Sequence, residues 1–293
     1  MDFIKLKANA KINLSLNVCG IEGNLHTLDM VMASVDLYDE VTAAKRADDK
    51  VCITYSNPDI PVGQDSVTRA VALFCEQFGA VGMNITVQKN IPLAAGLGGS
   101  GVDAAAVLLA LQSLYTTNFD LVQLASKIGS DVAYQLQGGF ARVEGTGNTI
   151  TYFNSDKVFY IVIAMSAGGV LSKDAYRLFD EMYVKKEKYV ADNDTIIKKL
   201  TAKGGFTDTD YPLFANALCK PAIHLNLSII DTLEALHASG ALHAVMTGSG
   251  AACIGFYADT KTARAAAKAI KQKGLYAKAA KTVSKGIQIA LNV

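Results

Sequence analysis

From Ile4 to Val18 every even position is apolar, while the odd positions carry Lys5, Lys7, Asn9, Lys11, Asn13, Ser15 and Asn17. A period of two over this length predicts one long or bent strand, or two in series, with one face buried. Lys11 and Asn13 then point the same way. The segments MVMASVDLYDEVTAA and VCITYS continue as strands, and DSVTRAVALFCEQFG switches to a helical period, with Asp65 or Ser66 as cap and Gly79 as stop. MNITVQKNI returns as a strand; Pro92 and a glycine cluster break it, and an Ala/Leu-rich helix is expected to start near Asp103. A second helix follows from Asp120, its apolar face set by Leu121, Leu124, Ala125 and Ile128. GGFARVEGTGNTITYF reads as a hairpin and VFYIVIAMS as a buried strand. Four helical patterns follow (172–184, 192–203, 213–224, 227–239), then a hairpin across Thr247–Gly250, a helix near 260–274 and a last strand. This is an α+β chain. At 293 residues it exceeds the size at which single cores stop growing, so two domains, 1–155 and 156–293, are expected around a shared cleft.

Composition narrows the classes. The formal net charge of +1, from 28 basic and 27 acidic residues, offers no general field for nucleic acid or an anionic membrane. MDFIKLKANAK lacks a long apolar run, and no later run reaches the roughly 18 apolar residues of a membrane span. A cytoplasmic protein is the expectation. Cys19, Cys52, Cys75, Cys219 and Cys253 form no C-x-x-C pair, so neither a zinc site nor a disulfide framework is signalled, and no metal ligands are assigned.

The most informative segment is Gly96-Leu97-Gly98-Gly99-Ser100-Gly101, between a strand and a helix. Glycines there let amides approach an anion, and the first turn of the helix adds a partial positive charge, so phosphate is the natural ligand. A tight turn with no ligand is the plainer reading. The letters also satisfy G-x-G-x-x-G, but a dinucleotide fold wants glycines directly after the first strand and an acidic residue closing a second; Asp120 opens a helix instead. A Walker A loop fails, because Val102 and Asp103 stand where Lys and Ser/Thr are needed. Without its own lysine the loop needs a cation and an alcohol activator from elsewhere. Lys11, beside Asn13, would neutralise developing charge, and Asp131, in the glycine-marked Ile128–Asp131 break, would meet a hydroxyl. Read singly, the first is equally a solvated strand lysine and the second a helix cap. His26 reads as a turn residue or a ligand donor, and Thr247–Gly250 as a hairpin turn or a second set of amides toward a phosphate.

Together these residues resemble the GHMP kinases, whose three motifs appear in order as Ala10–Leu14, Pro92–Ala106 and Met246–Gly250. Within that superfamily AKINL, the end of VDLYDE, IGSD and GLGG…DAAA are most similar to the 4-diphosphocytidyl-2-C-methyl-D-erythritol kinases of the non-mevalonate isoprenoid pathway. The resemblance implies an N-terminal domain like ribosomal protein S5 domain 2 and a ferredoxin-like C-terminal domain. It implies ATP with Mg2+, and transfer of the γ-phosphoryl group to the 2-hydroxyl of the cytidyl substrate. Asp131 matches the family's catalytic base and Lys11 its paired lysine. Lys89, Pro92, Gly96, Leu97, Gly98, Gly99, Ser100, Gly101 and Asp103 match the nucleotide site, while Asn13, His26, Gly248 and Ser249 match the substrate side. The implied partners are ATP and a small molecule, in a monomer or homodimer.

Four segments depart from the family pattern. GLGGGSSDAA reads GLGGSGVDAA, which places Val102 where a serine is usual. The tyrosine that stacks on cytosine is Leu25, NDLE reads Asn216-Ala217-Leu218-Cys219, and an Asn near the adenine pocket reads Asp65. A kinase for another small alcohol, such as mevalonate, homoserine or a sugar, and a non-catalytic nucleotide-binding paralogue are the alternatives.

Overall fold

The computed structural model describes residues 2–79, 82–115 and 120–292. β1 (Phe3–Glu22) and β2 (Leu25–Lys45) form one long antiparallel hairpin, from Phe3 opposite Ala44 to Glu22 opposite Leu25. Its register shifts between Asn9 and Lys11, Asn13 and Ser15, and Val18 and Gly20. The first shift adds two residues on β2 and each of the others one on β1, bending the ribbon and re-aiming side chains. The alternation predicted a single buried face, but Asn9, Lys11, Asn13, Ser15 and Asn17 are buried as well. The reason lies in the second half of the chain, which covers the polar face. Leu16 exchanges backbone hydrogen bonds with Ala215 and Ala217, Ser15 Oγ donates to Asn193 Oδ1 (2.5 Å), and Asn17 Nδ2 donates to the Ala191 carbonyl (2.9 Å).

β3 (Val51–Tyr55) runs parallel to β4 (Met83–Gln88), with α1 (Ser66–Phe78) as the crossover. Asp65 caps α1 by accepting from the Thr68 amide at 2.9 Å, and Gly79 ends it at φ 91°. α2 (Gly99–Tyr115) starts four residues before the expected Asp103, because the glycines leave room for the first turn to press against Ile91 and Asp131. Nearly all of α2 is buried, which is why it shows no amphipathic stripe. α3 (Leu121–Ile128), capped by Asp120, and α4 (Ser130–Gln137) follow, then the hairpin β5 (Phe140–Gly145) and β6 (Thr149–Phe153).

The second half comprises β7 (Tyr160–Met165), α5 (Ser172–Met182), α6 (Asn193–Thr201), α7 (Cys219–Leu225), α8 (Ser228–Ala238), β8 (His243–Met246), β9 (Cys253–Tyr257), α9 (Thr260–Gln272) and β10 (Tyr276–Val283). The helix expected over 213–224 is broken: a 3-10 turn at Asp208–Leu213 gives way to extended chain, and only α7 is helical. The bonds to Leu16 hold residues 215 and 217 extended there. The strands lie in the order β10-β7-β9-β8, all neighbours antiparallel. Counted from β7 this is 4-1-3-2, the ferredoxin-like arrangement. The expected last strand is two, for β11 (Ile287–Asn292) returns to pair with β1. Thr282 and Val283 of β10 also pair with β2, so one path β11-β1-β2-β10-β7-β9-β8 runs through both halves. Among the described residues no helix is long and apolar enough to cross a membrane.

Phe159 centres the packing where the halves join. It is fully buried and meets Phe206, Phe214 and Phe256 edge-on at 5.2, 5.6 and 5.6 Å. Such edge-to-face contacts add to the area they bury. Phe159→Ala is therefore expected to cost about 3–5 kcal/mol, read as a lowered urea midpoint for unfolding of the whole chain.

Candidate active site

A cleft of about 580 Å3 opens between the halves. Its rear wall is made by two glycine loops in direct backbone contact. A Cβ on Gly248 would lie 2.5 Å from the Gly96 carbonyl, and one on Gly96 2.6 Å from that of Thr247. Both have φ in the left-handed region, 76° at Gly96 and 59° at Gly248, which glycine adopts without strain. The Lys11 amide donates to the Leu97 carbonyl (3.0 Å) and the Asn13 amide to Thr247 Oγ1 (2.8 Å), so β1 fixes both loops. Asn216 fastens the second loop, its Nδ2 bonding the carbonyls of Met246 and Gly248 at 2.9 Å each.

Into this frame the first turn of α2 points its amides, which have no partner within the helix. Lys11 enters from β1. Its stem passes Gly98, where a Cβ would meet Lys11 Cγ at 2.8 Å. Its ammonium donates to Asn13 Oδ1 at 2.9 Å and stands 3.9 Å from Asp131 Oδ2. Lys11 is only 6% exposed, so it is not a solvated strand lysine. Asp131 sits in the first turn of α4, where Gly129, not Asp131, takes the cap position, and its side chain is 44% exposed. A Cβ on Gly101 would lie 3.1 Å from Asp131 Cβ, so a side chain there would push the carboxylate out of place.

Lys11, Asn13, Lys89, Pro92, Gly96 to Ser100, Asp103, Asp131, Gly248 and Ser249 all line the cleft; Gly101 stands behind the wall and His26 lies outside the lining. Lys89 does not offer its ammonium to the cleft. It is held between Asp39 Oδ2 and Asp103 Oδ2, the latter at 2.5 Å. Burial works against the Lys89 charge, but the two carboxylates outweigh it and raise its pKa. Burial pushes Asp103 up, with Lys89 opposing and Asp39 adding to the shift. Asp103 Oδ1 is buried without a hydrogen-bond partner. At the far end Asp65 lines the wall with Tyr55, whose hydroxyl donates to it at 2.6 Å. Burial raises the Asp65 pKa, yet bonds from Tyr55, Thr68 and Gly63 prevail and keep it below the usual carboxylate range.

Sequence reasoning missed Tyr176, Ser172, Thr247 as a β1 contact, and Asp39. Tyr176 lines the cleft from α5 and stacks on His26 at 4.6 Å, while His26 Nε2 bonds Asp180 Oδ1 at 2.8 Å. Ser172 Oγ meets Ser249 Oγ at 2.8 Å. Neither side chain carried a signal, being single residues in an ordinary amphipathic helix. Val102 is fully buried in the core and does not line the cleft, whereas Leu25 is 61% exposed beside His26.

The sequence matches the family described as GHMP kinases N terminal domain over residues 65–141, and GHMP kinases C terminal over 196–275. A 4-diphosphocytidyl-2-C-methyl-D-erythritol kinase of Clostridium tetani is 34% identical over 283 residues, covering 92% of this chain and 96% of its own. The kinase of the same name from Caldicellulosiruptor saccharolyticus is 35% identical over 272 residues, covering 91% and 92%. A crystal structure of 4-(cytidine 5'-diphospho)-2C-methyl-D-erythritol kinase superposes with a TM-score of 0.80 at 28% identity, covering 95% of this chain and 99% of that one. Two glycine loops locked face to face, a lysine and an aspartate converging beside a helix N-terminus, and these matches over nearly the whole length lead to one conclusion: the chain belongs to the GHMP kinase family.

Proposed function

We propose that the chain is an ATP-dependent kinase that phosphorylates the 2-hydroxyl of 4-diphosphocytidyl-2-C-methyl-D-erythritol, a cytoplasmic reaction. The observation that carries the chemistry is the Lys11–Asp131 pair, 3.9 Å apart at the phosphate end of the cleft. The relatives, which bear that substrate's name and cover over nine-tenths of the chain, support the choice of acceptor.

The amides of Gly98 to Gly101 and the α2 N-terminus hold the phosphates. The acceptor hydroxyl lies between Asp131 and the γ-phosphorus. As its oxygen bonds to phosphorus, the bond to the β–γ bridging oxygen breaks, ADP leaves with that oxygen, and the hydroxyl proton passes to Asp131. The Lys11 ammonium faces the negative charge on the phosphoryl oxygens, and Asn13 fixes it in place.

Magnesium accompanies the nucleotide in this reading. Among the described residues no group of three His, Cys, Asp or Glu side chains stands ready to hold a metal. The Ser100 hydroxyl and the unpartnered Asp103 Oδ1 are the protein oxygens fitted to it. It would neutralise phosphate charge. At the acceptor end Tyr176 offers an aromatic face and Asp180 orients the His26 ring. Exposed Leu25 favours a second reading, a kinase for another small alcohol, because a leucine cannot stack on a base as an aromatic ring does.

An ADP-release assay across a panel of alcohols tests the assignment. Turnover with the cytidyl compound is expected, and turnover only with mevalonate, homoserine or a sugar would transfer the assignment to the second reading. Asp131→Asn is expected to lower kcat by on the order of 100-fold or more with little change in ATP affinity; near-normal turnover in that variant removes Asp131 from the mechanism. Leu25→Tyr is expected to lower KM for the cytidyl acceptor by roughly fivefold, the low end of base-stacking energies, while KM for ATP stays put.

A further inference from the structure

A buried charge cluster stands directly behind the phosphate end of the cleft. Asp39, on β2, is fully buried and does not itself line the cleft. Its Oδ1 accepts from the amides of Asn90 (2.5 Å) and Ile91 (2.8 Å), the residues that lead from β4 into the glycine-rich loop. Its Oδ2 takes the Lys89 ammonium, which also donates to Asp103 on α2. Lys89 in turn lies just behind the first turn of that helix, for a Cβ on Gly99 would stand 3.4 Å from Lys89 Nζ. One carboxylate thus joins β2, the exit of β4 and the start of α2.

Burying a carboxylate is costly unless donors surround it. Three donors converge on Asp39, and two of them are backbone amides of the segment that must be placed. An apolar residue at 39 would leave those amides without their acceptor and Lys89 with Asp103 alone.

We propose that Asp39 is a positioning residue for the phosphoryl donor, tethering the glycine-rich loop and the α2 N-terminus through Lys89 and the amides of Asn90 and Ile91, so that their N–H groups meet a triphosphate in one register. This rests on the kinase reading of the cleft. It differs from a simple fold-stabilising role because it ties Asp39 to one substrate and not the other.

The test compares Asp39→Asn and Asp39→Glu with the wild-type chain, using calorimetric binding of a non-hydrolysable ATP analogue, KM for ATP and for the acceptor, and thermal unfolding. Asparagine keeps the shape and loses the charge for Lys89; glutamate keeps the charge and displaces the oxygens that hold the amides. Both variants are expected to weaken analogue binding on the order of tenfold, with acceptor KM within about twofold of wild type. A lowered unfolding temperature with analogue binding within about twofold of wild type overturns the proposal, as does an equal loss for both substrates. Failure of both variants to fold overturns it too, since Asp39 would then serve the fold as a whole. Absence of analogue binding by the wild-type chain overturns the kinase reading itself, and this inference with it.

Discussion

The halves of the chain meet where Gly96 and Gly248 lie backbone against backbone, closer than any side chain would allow. The Ala252 amide donates to the Ala95 carbonyl at 3.3 Å in the same contact, and β1 binds both loops through Lys11 and Asn13. The amides of the glycine-rich loop cannot be tuned one by one, because they belong to a loop whose other face is already committed. The position of α2, and of everything its first turn faces, follows from that contact. A glycine at 96 or 248 therefore serves approach as much as conformation.

β1 supplies the second constraint. Its polar residues are interior residues, so each must find a partner, and three of them find one in the other half: Asn193 for Ser15, the Val190 and Ala191 backbone for Asn17, Thr247 for the Asn13 amide. Buried polar groups with specific partners fix register where apolar packing tolerates slippage. The bulges at Asn9–Lys11 and Asn13–Ser15 flank the two residues that face the cleft. Lys11 is thereby held with its ammonium near Asp131, although the two are far apart in sequence.

What the sequence made legible follows from how each feature is encoded. Period-two alternation in β1, the Asp65 and Gly79 boundaries of α1 and the Asp120 cap of α3 are local, and the structure has them where they were expected. The glycine loops were legible because glycine marks close approach. The start of α2 was placed too late because glycine weakens helix propensity, a local penalty that packing against Ile91 and Asp131 overrides. The extended stretch around Asn216 and the return of β11 to β1 depend on partners elsewhere in the chain, which no local pattern carries. Asp39 was marked only as part of the family-like end of VDLYDE, and its place was hidden for the same reason, as an acidic residue at the end of an alternating strand looks like a solvated face until Lys89 and two amides are seen around it.

The departures from the family pattern divide by location. Val102 replaces a hydroxyl on a helix face that points into the core, where a valine packs without leaving a polar group unpaired, so this change leaves the phosphate end intact. Asp65 stands where the family pattern has an amide, but its oxygens are occupied by Tyr55, Thr68 and Gly63, so its direct effect is to fix Tyr55 at the cleft wall. Leu25 is the change with no such shelter, exposed beside the His26–Tyr176 stack. The glycine loops and the strand that carries Lys11 are thus the more tightly determined part of the molecule, built on backbone contacts. The opposite end of the molecule is held instead by a few side chains of β2 and α5, the His26–Tyr176 stack and the His26–Asp180 hydrogen bond, which a single substitution can alter without touching the glycine loops.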